Sequence, residues 1–229
     1  MSQKTLLRLS AIVAGISGIT ILMGTLYPIV SYEAKSKQKY PKLISPVAGV
    51  SEGAPTIESV DLTRASNWFV GDIDRGEFGQ SQLSFYTISV PKLGIENARV
   101  AIGGEDLSDS LIQYPGTALP GRQGNSVIFG HSILPQFYNP KDYLAIFSTL
   151  PTLEKGDEIK INYDGVLFTY RVESMFEVLP TELEVLDQDT NDSYISLITC
   201  VPPGHPLKPK RLVVRAKVIP PSQANAVVN

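Results

Sequence analysis

From Phe85 onward, apolar and polar residues alternate again and again, and no other feature of the chain limits its fold as strongly. Ile88 and Val90 alternate with Thr87 and Ser89, and Ile159, Ile161 and Tyr163 repeat the pattern. Val166, Phe168, Tyr170 and Val172 follow, separated by Leu167, Thr169 and Arg171. Ile195, Leu197 and Thr199, then Leu212, Val214, Ala216 and Val218, complete the series. Side chains two apart lie on one face of a strand, so these runs predict strands with one buried face. Val127-Ile128-Phe129 adds a short apolar run. The 17 prolines and 18 glycines provide the turns between them. Seven or eight short strands joined in this way predict a mainly β domain that closes, or nearly closes, into a barrel. One short helix is expected to interrupt the strands. Asn139 serves as its N-cap, Pro140 as its first residue and Pro151 as its stop, with Leu144, Phe147 and Leu150 on one face.

A different pattern precedes the strands. Residues 9–30 form a run of 22 residues without a charge. As a helix this run is roughly 33 Å long, against about 30 Å for the hydrocarbon core of a bilayer. A cleaved signal peptide has a shorter apolar region, about 7–15 residues, and a small-residue cleavage site. Ser31-Tyr32-Glu33-Ala34 does not offer such a site. Residues 1–32 are therefore expected to be an uncleaved, single-pass membrane anchor. Lys4 and Arg8 precede it and Lys35, Lys37, Lys39 and Lys42 follow, so the count of basic residues does not set its orientation. A short N-terminal tail left in the cytoplasm puts the rest of the chain outside the membrane. Residues 33–60, rich in Lys, Pro, Ser, Gly and Ala, read as a flexible linker. Residues 61–84 form an extension that holds the only tryptophan, in Asn67-Trp68-Phe69-Val70, and reads as an aromatic anchor on the domain surface. Residues 85–219 carry the barrel, and 220–229 have no period and read as a loose tail.

Composition excludes several functions. Net charge is −3, and without residues 1–30 there remain 18 basic and 23 acidic residues, a net −5. Nucleic-acid binding needs a basic stripe, and none is present. One cysteine and two histidines cannot supply a four-ligand Cys/His zinc site, so no metal and no cofactor is expected.

The single cysteine outside the membrane has three fates: a buried inert side chain, a bond between chains, or a reactive thiol. Cys200 ends the run Tyr194-Ile195-Ser196-Leu197-Ile198-Thr199-Cys200, and a proline-rich loop, Val201 to Lys210, leads to Arg211-Leu212-Val213-Val214-Arg215. Pairing the two strands with Cys200 opposite Arg211 sets Thr199 against Leu212, Leu197 against Val214 and Ile195 against Ala216, which makes a core face. Cys200 and Arg211 then share the other face, with Ile198 opposite Val213, Ser196 opposite Arg215 and Tyr194 opposite Lys217. A shift of one residue would separate the two side chains. A guanidinium beside a thiol favours the thiolate and can stabilise an oxyanion. The acid–base partner must be a histidine. His131 follows Val127-Ile128-Phe129-Gly130 at a strand end, whereas His205 lies in the Pro-Pro-Gly-His-Pro loop. The residues alone leave both open.

Taken together, these segments resemble the sortase family. Ser196-Leu197-Ile198-Thr199-Cys200 is similar to its T-L-x-T-C signature, with Ser in the first position. Lys210-Arg211-Leu212-Val213-Val214 resembles the following strand with its essential arginine. Gly124 to Ser132 resembles the segment that carries the catalytic histidine. Phe147 to Leu150 with Leu153 to Ile159 resembles the L-x-x-G-D turn. The resemblance covers about residues 85–219. It implies an eight-stranded sortase-like β-barrel with one or two short helices, behind a single N-terminal transmembrane helix. It also implies a cysteine transpeptidase with Cys200 as nucleophile, His131 as acid–base and Arg211 holding the substrate backbone and oxyanion. The backbone at Thr199 is a further expected substrate contact. The implied partners are secreted proteins with C-terminal sorting signals like Leu-Pro-x-Thr-Gly, and an amine from a cell-wall precursor or a pilin lysine. The domain is expected outside the cytoplasm. No calcium site can be mapped. Trp68-Phe69 reads as a brace on the barrel rather than a lid, because Asn67 precedes Trp68 where pilin-type lids carry an Asp nearby, and Asp72 only follows.

Two other readings compete with this one. An L,D-transpeptidase also uses Cys and His, but its signature sets a Ser or His just before the cysteine, and here Ile198 and Thr199 precede it. A membrane-tethered β-barrel that binds a surface ligand would keep Cys200 as a buried structural residue.

Overall fold

The computed structural model of the chain describes residues 3–40, 61–70, 84–188 and 191–220. Most of the expected linker, residues 71–83 of the extension and the tail after Pro220 lie outside the described residues. Two units are distinct: the N-terminal helix, and everything from Tyr40 onward. The helix, α1, runs Gln3–Lys39 and contains Pro28. It continues past Tyr32, where the sequence suggests the anchor ends. By length and composition it is long and apolar enough to cross a membrane.

The second unit is a closed eight-stranded barrel. Its strands are β1 (Ser84–Val90), β2 (Ile95–Ile102), β3 (Leu111–Gln113), β4 (Gly124–Phe129), β5 (Glu158–Tyr163), β6 (Val166–Val178), β7 (Ser193–Val201) and β8 (Lys210–Val218). Their order round the barrel is β1-β2-β3-β4-β7-β8-β6-β5. Two neighbouring pairs are parallel, β2 with β3 and β4 with β7. The alternation does what period two requires: Ile88, Ile159, Ile161, Ile195, Leu197, Leu212 and Val214 are all fully buried. Closure removes the sheet edges that would otherwise be open to further pairing.

A second apolar cluster lies on the opposite face of the same strands. Val127 and Phe129 of β4, Ile198 and Cys200 of β7, Val213 of β8, and Phe176 and Val178 of β6 are buried beneath Leu62, Ala65, Trp68 and Phe69. Val185, on a 3-10 turn at Leu183–Leu186, closes the cluster from another side. The barrel therefore carries a filled core and, outside it, a covered apolar groove.

The helix expected from Asn139 is not formed. Successive turns occupy 140–149 and end in a 3-10 turn, Leu150–Thr152. The bonds are three residues apart, as from the Ala145 amide to the Asp142 carbonyl and from the Ser148 amide to the Ala145 carbonyl. The Asn139 and Asp142 side chains each accept from a backbone amide two residues on. The Phe147 amide donates instead to the His131 carbonyl at 2.9 Å. Local Asx bonds and this tie to β4 compete successfully with the helix ladder.

Candidate active site

Cys200 stands one residue from the end of β7, and its cross-strand partner on β8 is Arg211. The whole register is the one that the alternation predicts, from Tyr194 opposite Lys217 to Cys200 opposite Arg211. On the other side of β7, parallel β4 sets Phe129 beside Ile198. β4 ends at Phe129, and His131 lies two residues beyond it, just as Cys200 lies two residues beyond Ile198. Three bonds stitch these ends together. The Gly130 amide donates to the Ile198 carbonyl at 3.1 Å, Thr199 Oγ1 to the Gly130 carbonyl at 2.8 Å, and Ser132 Oγ to the Cys200 carbonyl at 2.6 Å. A Cβ on Gly130 would lie 2.5 Å from side-chain atoms of Leu111 and Phe147, so only glycine fits there. His131, Cys200 and Arg211 thus gather at one rim of the barrel.

Thr199 has a different place from the three. Its side chain lies on the core face and is fully buried. Its hydroxyl fixes the strand end that carries His131. His205 shapes its own loop, where its Nδ1 accepts from the Leu207 amide at 3.1 Å.

The site is covered. Cys200, His131 and Arg211 are 1%, 5% and 1% exposed, and Trp68 is fully buried. The Trp68 ring stacks on Phe129 at 5.1 Å and meets His131 at 5.8 Å between centroids. The Arg211 guanidinium carbon lies 5.6 Å from the same ring. Arg211 Nε and Nη2 both donate to the Trp68 carbonyl, at 3.2 and 3.0 Å. Its Nη1 donates to the Lys208 and Lys210 carbonyls at 2.9 and 3.2 Å. A buried guanidinium needs such acceptors, and here every one is a peptide carbonyl. Trp68 and Phe69 are buried in the groove, and Trp68 packs directly against His131 and Arg211.

Burial also sets the state of His131. It lowers the pKa from 6.5 to about 4, with the Lys208 charge acting the same way and the Asp61 and Asp106 carboxylates opposing. His131 Nε2 is buried with no hydrogen-bond partner. Under its cover the imidazole favours the neutral form, which accepts a proton but is a poor acid.

The cover is pinned at several points that the sequence does not reveal. The Ala65 amide donates to the Glu105 carbonyl and the Leu107 amide to the Thr63 carbonyl, both at 3.0 Å. The Glu105 carboxylate accepts from Ser66 Oγ at 3.0 Å and lies 3.6 Å from Arg64 Nη2. Trp68 Nε1 donates to the Leu62 carbonyl at 2.8 Å, and the Val70 amide to the Pro180 carbonyl at 2.9 Å. The one signal in the sequence is an isolated aromatic pair, Trp68-Phe69, in an otherwise polar extension.

A closed barrel with a thiol, an imidazole and a guanidinium on three neighbouring strand ends defines a class of protein. The chain belongs to the sortase family: residues 88–219 match the profile of the Sortase domain. Sortase A from Streptococcus agalactiae serotype III (strain NEM316) is 23% identical over 125 residues, 55% of this chain and 45% of that protein. The match therefore spans less than half of that relative's length. Among solved structures, a lid mutant of sortase A from Corynebacterium diphtheriae is 29% identical, with 64% of this chain and 77% of that chain covered and a TM-score of 0.52. Sortase C-1 from Actinomyces oris is 26% identical over 59% of this chain and 71% of that one, with a TM-score of 0.51. The Clostridium perfringens sortase D5 transpeptidase shares the fold at 24% identity, with 63% and 92% covered and a TM-score of 0.51. The likeness spreads across several subclass letters, so it fixes the family and not the subclass.

Proposed function

We propose that this chain is a membrane-anchored cysteine transpeptidase that cleaves a sorting signal like Leu-Pro-x-Thr-Gly and transfers the protein to an amine. The observation that carries the reading is the hold of Arg211 on a peptide carbonyl at the rim shared with Cys200 and His131. A fork that binds the Trp68 carbonyl has the geometry to bind a substrate carbonyl once Trp68 leaves.

The chemistry follows from the three side chains. The Cys200 thiolate attacks the threonine carbonyl carbon, and Arg211 stabilises the negative charge that develops on its oxygen. The bond to the glycine nitrogen breaks as His131 gives its proton to that nitrogen, which leaves a thioester. The acceptor amine then attacks the thioester and loses a proton to His131, and the thiolate departs. For His131 to give a proton it must first hold one, which its covered state disfavours. Residues 61–70 therefore act as a lid, in place of the fixed brace expected from the sequence, and their displacement readmits water and raises the imidazole pKa toward its ordinary value. The substrates are secreted proteins with C-terminal sorting signals, and the acceptor is a cell-wall precursor or a pilin lysine. The helix α1 anchors the chain, with the barrel outside the cytoplasm.

The test uses the full-length chain in detergent, a set of sorting-signal peptides and an amine acceptor. Mass spectrometry detects an acyl group on Cys200, and Cys200→Ala abolishes it. His131→Ala and Arg211→Ala each lower turnover by about 10²–10³-fold, whereas His205→Ala keeps it. Loss of activity on changing His205 instead would assign the wrong histidine here. A binding barrel without enzymatic activity fits the burial of Cys200 equally well, and for it no acyl-enzyme forms with any peptide.

A further inference from the structure

The face of β7 that carries Cys200 continues away from the catalytic rim as Ile198, Ser196 and Tyr194. Opposite them on β8 stand Val213, Arg215 and Lys217. The Ile198–Val213 pair is apolar and fully buried. The next pair carries a charge. Arg215 Nε donates to Ser196 Oγ at 3.3 Å, and Ser196 Oγ to Asn125 Oδ1 at 2.8 Å. Asn125 Nδ2 donates in turn to the Val185 carbonyl at 3.0 Å. Ser196 and Asn125 are fully buried, and the Arg215 guanidinium carbon lies 5.6 Å from the Phe176 ring. The near side of the guanidinium is thus fixed by a buried polar relay. Its two terminal amino groups make no hydrogen bond or ion pair with any described residue.

Arg215 borders a cavity of about 470 Å³, whose other lining residues are Glu173, Ser174, Asn191, Asp192 and Tyr194. Its two carboxylates do not pair with Arg215. Asp192 is held by Lys217 at 2.6 Å, and Glu173 is exposed; Glu173 and Asp187 act on Arg215 only through their charge, with no ion pair. No described carboxylate lies within ion-pair distance of this half-buried guanidinium, which Ser196 orients, and its planar fork matches a carboxylate in two parallel bonds.

Position decides which carboxylate. Four residues of strand separate Cys200 from Ser196, roughly 13 Å at the pitch of an extended chain. A peptide extended along this face, with its attacked carbonyl at Cys200, lays the residue four positions upstream over Arg215. We propose that Arg215 is a specificity-determining residue that receives an acidic side chain at that position of the substrate. In a Leu-Pro-x-Thr-Gly signal this residue directly precedes the leucine. The proposal rests on the transpeptidase reading, which supplies the peptide and its direction.

The experiment uses the full-length chain in detergent and peptides Xaa-Leu-Pro-Gln-Thr-Gly with Glu, Gln or Lys as Xaa. Transfer to hydroxylamine gives kcat/KM for each. A second series ends in a methanethiosulfonate in place of the threonine carbonyl and reports occupancy through the rate of disulfide formation with Cys200. The Glu peptide is expected to exceed the Lys peptide by about tenfold in both series. Arg215→Gln flattens the ranking, and Arg215→Glu inverts it. Equal rates for the three peptides on the wild-type chain overturn the subsite, as does a ranking that survives Arg215→Glu. If trapping discriminates but no acyl-enzyme forms, the subsite stands and the transpeptidase reading fails. If acyl-enzyme forms equally from all three, the reading stands and the subsite fails.

Discussion

His131 and Arg211 are held in states that belong to a covered site. The imidazole Nε2 is buried without a hydrogen-bond partner, and the guanidinium makes four bonds to carbonyls of its own chain. The covered state holds His131 at about 4 where an open imidazole sits near 6.5. It therefore binds fewer protons than the open state. Its advantage is full above 6.5 and is lost as pH falls toward 4. Lys208 works with burial, and Asp61 and Asp106 against it. Acidification across that window should loosen residues 61–70. The measurement is amide hydrogen exchange at Ala65 and Leu107, corrected for intrinsic rates. Protection should fall in the wild-type chain and stay level in His131→Gln; equal behaviour of the two would uncouple the histidine from the cover. At this scale the sequence is most readable. Two period-two runs on either side of a proline loop have few registers that bury both core faces, and the one that does so pairs Cys200 with Arg211. The histidine was not readable in the same way. A parallel pairing carries His131 to the same rim as Cys200, and no local pattern announces which distant strands will run parallel.

The ten described residues of the cover, 61–70, form the element with most consequence and least sequence signal. They have one short 3-10 turn, Ala65–Asn67, and an isolated bridge between Arg64 and Asp106. What holds them is the burial of Trp68 and Phe69 in the groove. Truncating a buried tryptophan to alanine costs about 3–5 kcal/mol, and here the loss falls on the covered state alone. The ratio of covered to open molecules should drop by about 100-fold or more. Trp68→Ala should accordingly raise the rate at which a methanethiosulfonate reagent modifies Cys200 in the folded chain. Glu105→Gln removes the charge opposite Arg64 and should have a smaller effect in the same direction. An unchanged rate in both variants would mean that the thiol is reached by another path. Other elements departed from expectation for local reasons. β2 carries no clean alternation, since its register with β1 shifts between Ile88 and Val90 and Asn97 has φ of 49°. β3 has only three residues. Neither gives a pattern long enough to read.

For the whole molecule, closure depends on pairings between segments far apart in the chain, β2 with β3 and β4 with β7 in parallel and β1 with β5 antiparallel. The number of strands could be counted from their alternation, but their order round the barrel could not. That order brings the rim residues together and leaves a groove on the outer face for a segment from before the barrel to fill. The segment brings with it the only tryptophan of the chain. The protein therefore carries one indole fluorophore, and its whole surface is withdrawn from water beside His131 and Arg211. Intrinsic emission reads a single event without any label. A sorting peptide added to the Cys200→Ala chain should move that emission to longer wavelength as the ring is expelled, with a midpoint equal to the peptide's Kd. A peptide bound by calorimetry that leaves the spectrum unmoved would show that substrate and Trp68 share the groove.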